Sequence, residues 1–210
     1  MPQRITFGMG KYMNTSTKNV NKKIKNSLLA AIAVVLMFIE YPMTPFPWLQ
    51  IDLSEVPALM GGFAFGPMAG VIIIILINIL YVLFKGTSSG FVGQIANIII
   101  GVSLILPATI LYKRKRTKKT AIIGMIIGFF TIQIGGIIAN KYLLIPLYGG
   151  EAAVLGGKTF MYYIIFGLLP INGVKSLLVS SITYTLYKKL SVALFKVEPM
   201  KSGDKKVVLK

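Results

Sequence analysis

The last long apolar run of the chain opens with Pro170-Ile171-Asn172-Gly173-Val174-Lys175 and continues to Leu190 without an acidic residue. Proline suits the first helical position, because its missing N–H would be unpaired there anyway. A helix over residues 170–190 would rise about 30 Å, which is the thickness of the hydrocarbon layer of a membrane. Asn172 and Lys175 then lie on one face of its first turns, where an amide and an ammonium need polar partners. We therefore predict a membrane helix that carries half of a ligand site.

Composition assigns the whole chain to the class of membrane proteins. Hydrophobic residues make up 55% of the 210 positions, and several apolar runs approach twenty residues, the length that spans a bilayer. The formal net charge of +17 does not indicate nucleic-acid binding, because the lysines sit in tails and one loop that flank apolar runs. The sequence has no cysteine and no histidine, which excludes disulfides, thiol catalysis and the commonest metal ligands. We expect no enzyme activity, no metal site and no cofactor.

Six transmembrane helices account for the apolar runs. The predicted spans cover residues 24–39, 56–66, 68–84, 91–112, 120–141 and 170–190. Ser54-Glu55-Val56-Pro57 is a helix-start signal with Ser54 as the N-cap, and Gly66-Pro67 predicts a turn between the second and third helices. Residues 142–169 are expected to form an outer loop with at most one interfacial helix. The prediction is an all-α bundle, residues 24–190, between basic cytoplasmic tails at 1–23 and 191–210.

The positions of the basic residues orient these helices. If residues 55–84 formed one span instead of two, the six basic residues between Lys113 and Lys119 would lie outside while the N-terminal tail stays inside. An excess of Lys and Arg in short loops marks the cytoplasmic side, so five spans are disfavoured. Six spans place both termini and the 113–119 loop together in the cytoplasm.

With that orientation, seven polar residues fall in the outer half of the membrane domain. They come from five helices and are Glu40, Asn78, Gln94, Asn97, Asn140, Asn172 and Lys175. A single intramembrane amide is ordinarily a contact between helices, and a single lysine ordinarily snorkels to the interface. Seven such residues biased to one leaflet instead favour a pocket that opens outward.

No energy source for transport is recognisable in the sequence. Ion-driven carriers usually bury carboxylates or histidines, and here only Glu40 is embedded near a helix. Residues 152–159 end like a phosphate-binding loop, but Ala152 replaces its first glycine and the topology places it outside. We expect the chain to bind a small molecule and, if it transports that molecule, to take energy from a partner.

Several motifs of the chain are shared with a known family. They are Pro47-Trp48-Leu49-Gln50-Ile51-Asp52-Leu53-Ser54-Glu55-Val56-Pro57-Ala58-Leu59, Gly66-Pro67-Met68-Ala69-Gly70, Gly93-Gln94-Ile95-Ala96-Asn97, Leu106-Pro107-Ala108, Asn140 and Pro170-Ile171-Asn172-Gly173-Val174-Lys175. On these motifs the chain resembles the riboflavin-specific substrate-binding (S) components of bacterial energy-coupling factor (ECF) transporters. The Asp-x-x-x-x-Pro and Gly-Pro-x-x-Gly elements are general to S components, whereas Asn140, Asn172 and Lys175 point to riboflavin.

This resemblance implies a fold, a ligand and partners. It implies an S-component bundle in the bacterial cell membrane that captures riboflavin with high affinity at the outer face. It also implies a transmembrane coupling protein and two ATPases as partners, which would supply the energy. From the chemistry of a flavin, we predict Asn140, Asn172 and Lys175 at the ring, and Asn97, Gln94 and Glu40 at the ribityl hydroxyls. Trp48 and Leu49, with the neighbouring Phe46, are predicted to cover the rings, although a Pro-rich aromatic loop is equally typical of an interfacial belt.

The partner-docking surface is implied less directly. S components often present Ala-x-x-x-Ala on the first helix, and the nearest match here is Ser27-x-x-x-Ala31, with Ala30 and Ala33 beside it. Small residues at this spacing allow close helix approach, but they are also common in membrane helices generally. Three alternatives remain for the whole chain: an S component for another vitamin, an autonomous carrier driven by an ion gradient, and a membrane scaffold without a tight ligand.

Overall fold

Helices make up most of the structure, a computed structural model that describes residues 9–87 and 90–193. The α-helices in this part of the chain are α1 Met9–Met37, α2 Glu55–Phe65, α3 Pro67–Lys85, α4 Val92–Arg114, α5 Lys118–Ala139, α6 Ile145–Leu147, α7 Glu151–Leu155, α8 Phe160–Tyr163 and α9 Leu169–Ala193. Two π-helical segments, π1 Asn140–Leu144 and π2 Ile164–Leu168, join α5 to α6 and α8 to α9. A small antiparallel hairpin pairs β1 Tyr41–Pro42 with β2 Gln50–Ile51.

Four helices in the described ranges are long and apolar enough to cross a membrane. They are Pro67–Lys85, Val92–Arg114, Lys118–Leu147 and Phe160–Tyr187. The predicted second span corresponds to α2, which is apolar but has only 11 residues. The count of six spans and the cytoplasmic placement of both termini stay predictions. α1 begins at Met9, within the predicted 1–23 tail, and residues 1–8 and 194–210 of the predicted tails lie outside the described residues.

The predicted break between the second and third helices is confirmed. Gly66 has a φ of +102°, a backbone conformation that favours glycine, and its N–H still bonds to the carbonyl of Gly62. Pro67 then occupies the first turn of α3, where no N–H is needed. Ser54 occupies the N-cap position of α2 as predicted, but its side chain makes no capping hydrogen bond to the described start of that helix. The Asp52 carboxylate instead accepts a hydrogen bond from the Ser54 N–H at 2.8 Å.

Pro170 does not begin a helix, so the prediction of a helix start at this residue is wrong. The last helix begins at Phe160 and runs through π2 into α9 without interruption. A proline inside an α-helix lacks its N–H and crowds the carbonyl one turn back. π2 lies immediately before that position, and its wider turn, closed by a bond from the Leu169 N–H to the Ile164 carbonyl, accommodates the proline.

A π-helical turn also precedes Pro146, the proline of α6. There the Ile145 N–H bonds to the Asn140 carbonyl five residues back, and Pro146 follows. The helix that begins as α5 therefore continues to Leu147. The predicted outer loop over 142–169 is corrected accordingly: it is mostly helical, and the irregular backbone is confined to residues 148–150 and 156–159.

α4 and α5 make the most extensive helix–helix contact among the described residues. Gly124 and Gly128 of α5 face α4, and a Cβ at these positions would lie 2.8 Å from the Ala108 carbonyl oxygen and 2.6 Å from that of Leu104. Helices without Cβ atoms at the contact approach one another more closely, which increases van der Waals packing where lipid provides no hydrophobic drive. The two glycines therefore fix the spacing of two candidate membrane spans.

Replacing Gly128 by alanine should destabilise this contact. The new methyl group meets backbone rather than a side chain that can turn away, so we expect a loss of about 1–3 kcal/mol in the free energy of unfolding. Thermal unfolding of the purified protein in detergent measures the effect. Ile126→Ala is the control on the same helix, because Ile126 is 52% exposed. An equal loss in both variants would contradict the assigned role of the glycine.

Candidate functional site

A cavity of about 460 Å³ lies at one end of the bundle. It is formed where α1, α3 and α5 end and where α4 and α9 begin. All eight residues that were predicted to bind substrate line it: Glu40, Trp48, Leu49, Gln94, Asn97, Asn140, Asn172 and Lys175. The structure thus brings them together around one space, while their role in binding stays a prediction. Asn78 is different, since it does not line the cavity and donates to the Ile74 carbonyl at 2.9 Å within its own helix.

Lys175 is held by two buried carboxylates. Its Nζ lies 3.1 Å from Asp52 Oδ2 and 2.6 Å from Glu55 Oε1, and all three side chains are 4–6% exposed. The ammonium of Lys175 therefore joins α9 to the start of α2, and its predicted role in ligand binding stays a prediction. Sequence reasoning missed this role of the carboxylates. The available signal was two acidic residues three apart at a helix start, in a chain with only six.

The two asparagines near Lys175 differ in their hydrogen bonding. Asn140 Nδ2 donates to the Gly136 carbonyl at 2.8 Å, and its Oδ1 accepts from the Tyr163 hydroxyl at 3.0 Å. Asn172 is 2% exposed, and its Nδ2 has no hydrogen-bond partner among the described residues. A buried amide N–H without an acceptor is costly, so this group is suited to an acceptor that a ligand supplies.

Glu40 forms a second charged cluster on the cavity wall. It is ion-paired with Lys85 and accepts a hydrogen bond from the Tyr81 hydroxyl at 2.9 Å. With the amide nitrogen of Gln50 turned toward Glu40, that nitrogen donates to both carboxylate oxygens at 3.0 and 3.2 Å. This cluster joins the end of α1 to the end of α3 and to β2.

The Pro-rich loop between β1 and β2 contributes Trp48 and Leu49 to the cavity wall and is anchored by Phe46. That side chain is 3% exposed, and its ring lies 4.7 Å from Tyr163 and 5.3 Å from Trp48, centroid to centroid. Gly167 in π2 leaves room for it, because a Cβ there would lie 3.0 Å from the Phe46 ring and 3.1 Å from Leu49. Trp48 is 47% exposed and Leu49 is half-buried, so the loop covers the cavity without sealing it.

The small residues of α1 do not share one surface. Ala30 and Ala33 are buried inside the bundle at 1% and 0% exposure, whereas Ser27 and Ala31 are exposed. A buried side chain is not available to a partner in this conformation. The predicted docking surface is therefore narrowed to Ser27 and Ala31, and it stays a prediction.

Removing Lys175 should strongly destabilise the fold. Lys175→Met leaves two uncompensated carboxylates in a buried position, for which we expect a loss of about 3–5 kcal/mol in the free energy of unfolding. Thermal unfolding in detergent measures it, and the triple variant Lys175→Met, Asp52→Asn, Glu55→Gln should recover much of the loss. Lys119→Met, at an exposed lysine, is the control. Wild-type unfolding of the single variant would show that the ion pairs do not support the fold.

Three comparisons with known proteins agree with this architecture. Residues 21–187 match the family described as "ECF transporter, substrate-specific component". The chain is 38% identical over 175 residues to the riboflavin transporter RibU of Staphylococcus aureus (strain TCH60), which is 81% of this chain and 91% of that protein. It is 31% identical over 175 residues to the riboflavin transporter FmnP of Bacillus subtilis (strain 168), covering 81% and 92%.

A solved structure also has this fold. The match, to a chain described under "Structure and mechanism of the S component of a bacterial ECF transporter", has a TM-score of 0.69 and 36% sequence identity, and covers 82% of this chain and 96% of that one. Family, sequence and fold therefore agree. The chain belongs to the family of substrate-specific (S) components of ECF transporters, and is a multi-pass membrane protein of a transporter rather than an enzyme.

Proposed function

We propose that the chain is the high-affinity riboflavin-binding component of an ATP-driven ECF importer. The observation that carries this proposal is the cavity, around which all eight predicted binding residues lie. Relatives over most of the chain's length are named riboflavin transporters, which supports the same ligand. Riboflavin is then the transported substrate and not a cofactor.

The size and lining of the cavity suit a flavin. Its volume of about 460 Å³ lies within the range of roughly 300–1,000 Å³ that is typical of small-molecule sites. The isoalloxazine ring is flat, with one apolar edge and one edge of carbonyl and N–H groups. The wall offers both kinds of surface, and its apolar part is Met37, Leu49, Ile100, Leu144, Ile145, Val154, Leu168 and Ile171.

The polar groups of the wall divide between ring and ribityl chain. Asn172 Nδ2 is a buried donor without an acceptor among the described residues, so it donates to a ring carbonyl or nitrogen in this proposal. Asn140 is oriented by Tyr163 and presents a fixed amide. Lys175 uses two of its three N–H groups on carboxylates, and the third is left for a ring carbonyl. Asn97, Gln94 and Glu40 meet the ribityl hydroxyls, and Trp48 and Leu49 cover the rings.

The proposed topology places this cavity on the extracellular side. Six spans with both termini in the cytoplasm leave the basic turn between α4 and α5 inside, at the end of the bundle opposite the cavity. An excess of Lys and Arg in a short loop supports that orientation. The partners are then an ECF transmembrane coupling protein and two ATPases, with Ser27 and Ala31 on the docking face of α1.

The Asn172 amide provides a direct test of the ligand assignment. Asn172→Ala should weaken riboflavin binding by roughly 10- to 100-fold, because a buried acceptor on the ligand loses its partner. Quenching of riboflavin fluorescence on titration with purified protein measures the Kd. Asn78→Ala is the matched control: it removes a buried amide of the same bundle that does not line the cavity. Unchanged affinity in Asn172→Ala would contradict the assigned role.

A second measurement separates the alternatives. Purified wild-type protein that binds no flavin, whether or not it binds another vitamin, would overturn the proposal. Transport of riboflavin by this chain alone into liposomes without ATP would favour an autonomous carrier. The importer proposal instead predicts tight binding and no net transport until the coupling protein, both ATPases and ATP are added.

A further inference from the structure

The cations of the cavity wall are each paired with carboxylates. Among the described residues, the cations that line the cavity are Lys85 and Lys175. Lys175 is ion-paired with Asp52 and Glu55, and Lys85 is ion-paired with Glu40. Three carboxylates therefore face two ammonium groups, which leaves one excess negative charge if all are ionised and none if one carboxyl is protonated. In neither state do the described residues of the wall offer a free cation.

The pairing of both lysines with carboxylates affects which flavin can bind, because flavins occur with and without a phosphate. A phosphate monoester carries a charge of about −1.5 to −2 at pH 7, and proteins bind it with unpaired Arg or Lys, backbone N–H clusters or helix N-termini. Riboflavin has no charge at the same position. The first turn of α4 also lines the cavity at Gly93 and Gln94. A wall whose lysines are already neutralised by carboxylates nevertheless adds no free cation for a phosphate, and it therefore favours the uncharged form over the phosphorylated one.

The two ion-paired clusters are not equally fixed. Lys175 and its two carboxylates are fully buried, whereas the Lys85 side chain is 44% exposed and Glu40 is 17% exposed. Lys85 is therefore the cation that a phosphate group would reach if Glu40 did not hold it. The Tyr81 hydroxyl and the Gln50 amide both donate to Glu40, and such hydrogen bonds stabilise a charged carboxylate.

We propose that Glu40 determines specificity: by neutralising Lys85, it makes the cavity select uncharged riboflavin against its phosphate ester. This inference rests on the proposed function, because it concerns the ligand of the same cavity. It adds a role for Glu40 that contact with ribityl hydroxyls does not require. Loss of the carboxylate charge releases a cation at the cavity wall, and the discrimination between the two flavins falls.

The test compares Kd values for riboflavin and riboflavin 5′-phosphate by fluorescence quenching. We expect wild-type protein to prefer riboflavin by on the order of 100-fold. Glu40→Gln should reduce this ratio about 2- to 5-fold, since a partly exposed ion pair contributes a modest amount. The double variant Glu40→Gln, Lys85→Met should restore the ratio, because the released cation is gone. Glu151→Gln removes an equal charge from α7 outside the cavity lining and should leave the ratio unchanged.

The possible results distinguish failure of this inference from failure of the proposed function. A wild-type protein that binds riboflavin but does not distinguish its phosphate overturns the charge-selection inference alone. That inference also fails if Glu40→Gln keeps the wild-type ratio, or if Glu151→Gln lowers it equally. A wild-type protein that binds neither flavin overturns the proposed function and this inference with it.

Discussion

The structure depends on keeping one ammonium group inside an apolar bundle. Lys175 sits on a helix whose neighbours are almost entirely hydrocarbon, and an isolated charge there would be expensive. Asp52 and Glu55 remove that cost, and they come from the loop that precedes α2 and from its first turn. The ion pairs therefore require the start of the short helix α2 to lie beside the first turns of α9. That requirement places the hairpin and the Pro-rich loop, which lie just before Asp52, above the cavity.

The buried ion pairs also explain how the binding groups can be held in fixed positions in this membrane protein. Contacts between apolar side chains allow a helix to rotate slightly about its axis, because lipid tails are as apolar as the side chains they would replace. A lysine that is paired with two carboxylates does not allow such rotation, since each charge-assisted hydrogen bond has a preferred distance and direction. Asn172, one turn from Lys175, is fixed by the same restraint. The cavity wall therefore has a defined geometry without a bound ligand.

Much of this could be predicted from the sequence, and the failures have identifiable causes. Apolar length indicated the long helices, and the Gly66-Pro67 pair indicated the break after α2, because both are local signals. The polar residues of the cavity were found because an amide in an apolar helix is unusual. The partners of Lys175 were missed because they are distant along the chain, and the helix-start interpretation already accounted for Glu55. The buried state of Ala30 and Ala33 was missed because spacing does not say which face of a helix is inside.

The segment over 142–169 was misjudged for a different reason. π1 and π2 each close their turn across five residues instead of four, so each adds one residue to its helix. One added residue rotates everything that follows by about 100° relative to a regular helix. The glycine pairs at 149–150 and 156–157, and an apolar piece from Phe160 that is short for a span, indicated a loop. No local signal showed that π1 and π2 extend the flanking helices into this segment. Deleting a single residue from π2 would therefore convert it to a regular α-helix and rotate Asn172 and Lys175 together away from the cavity. The amino-acid composition of the protein would be almost unchanged, but the cavity wall would lose both of these polar groups.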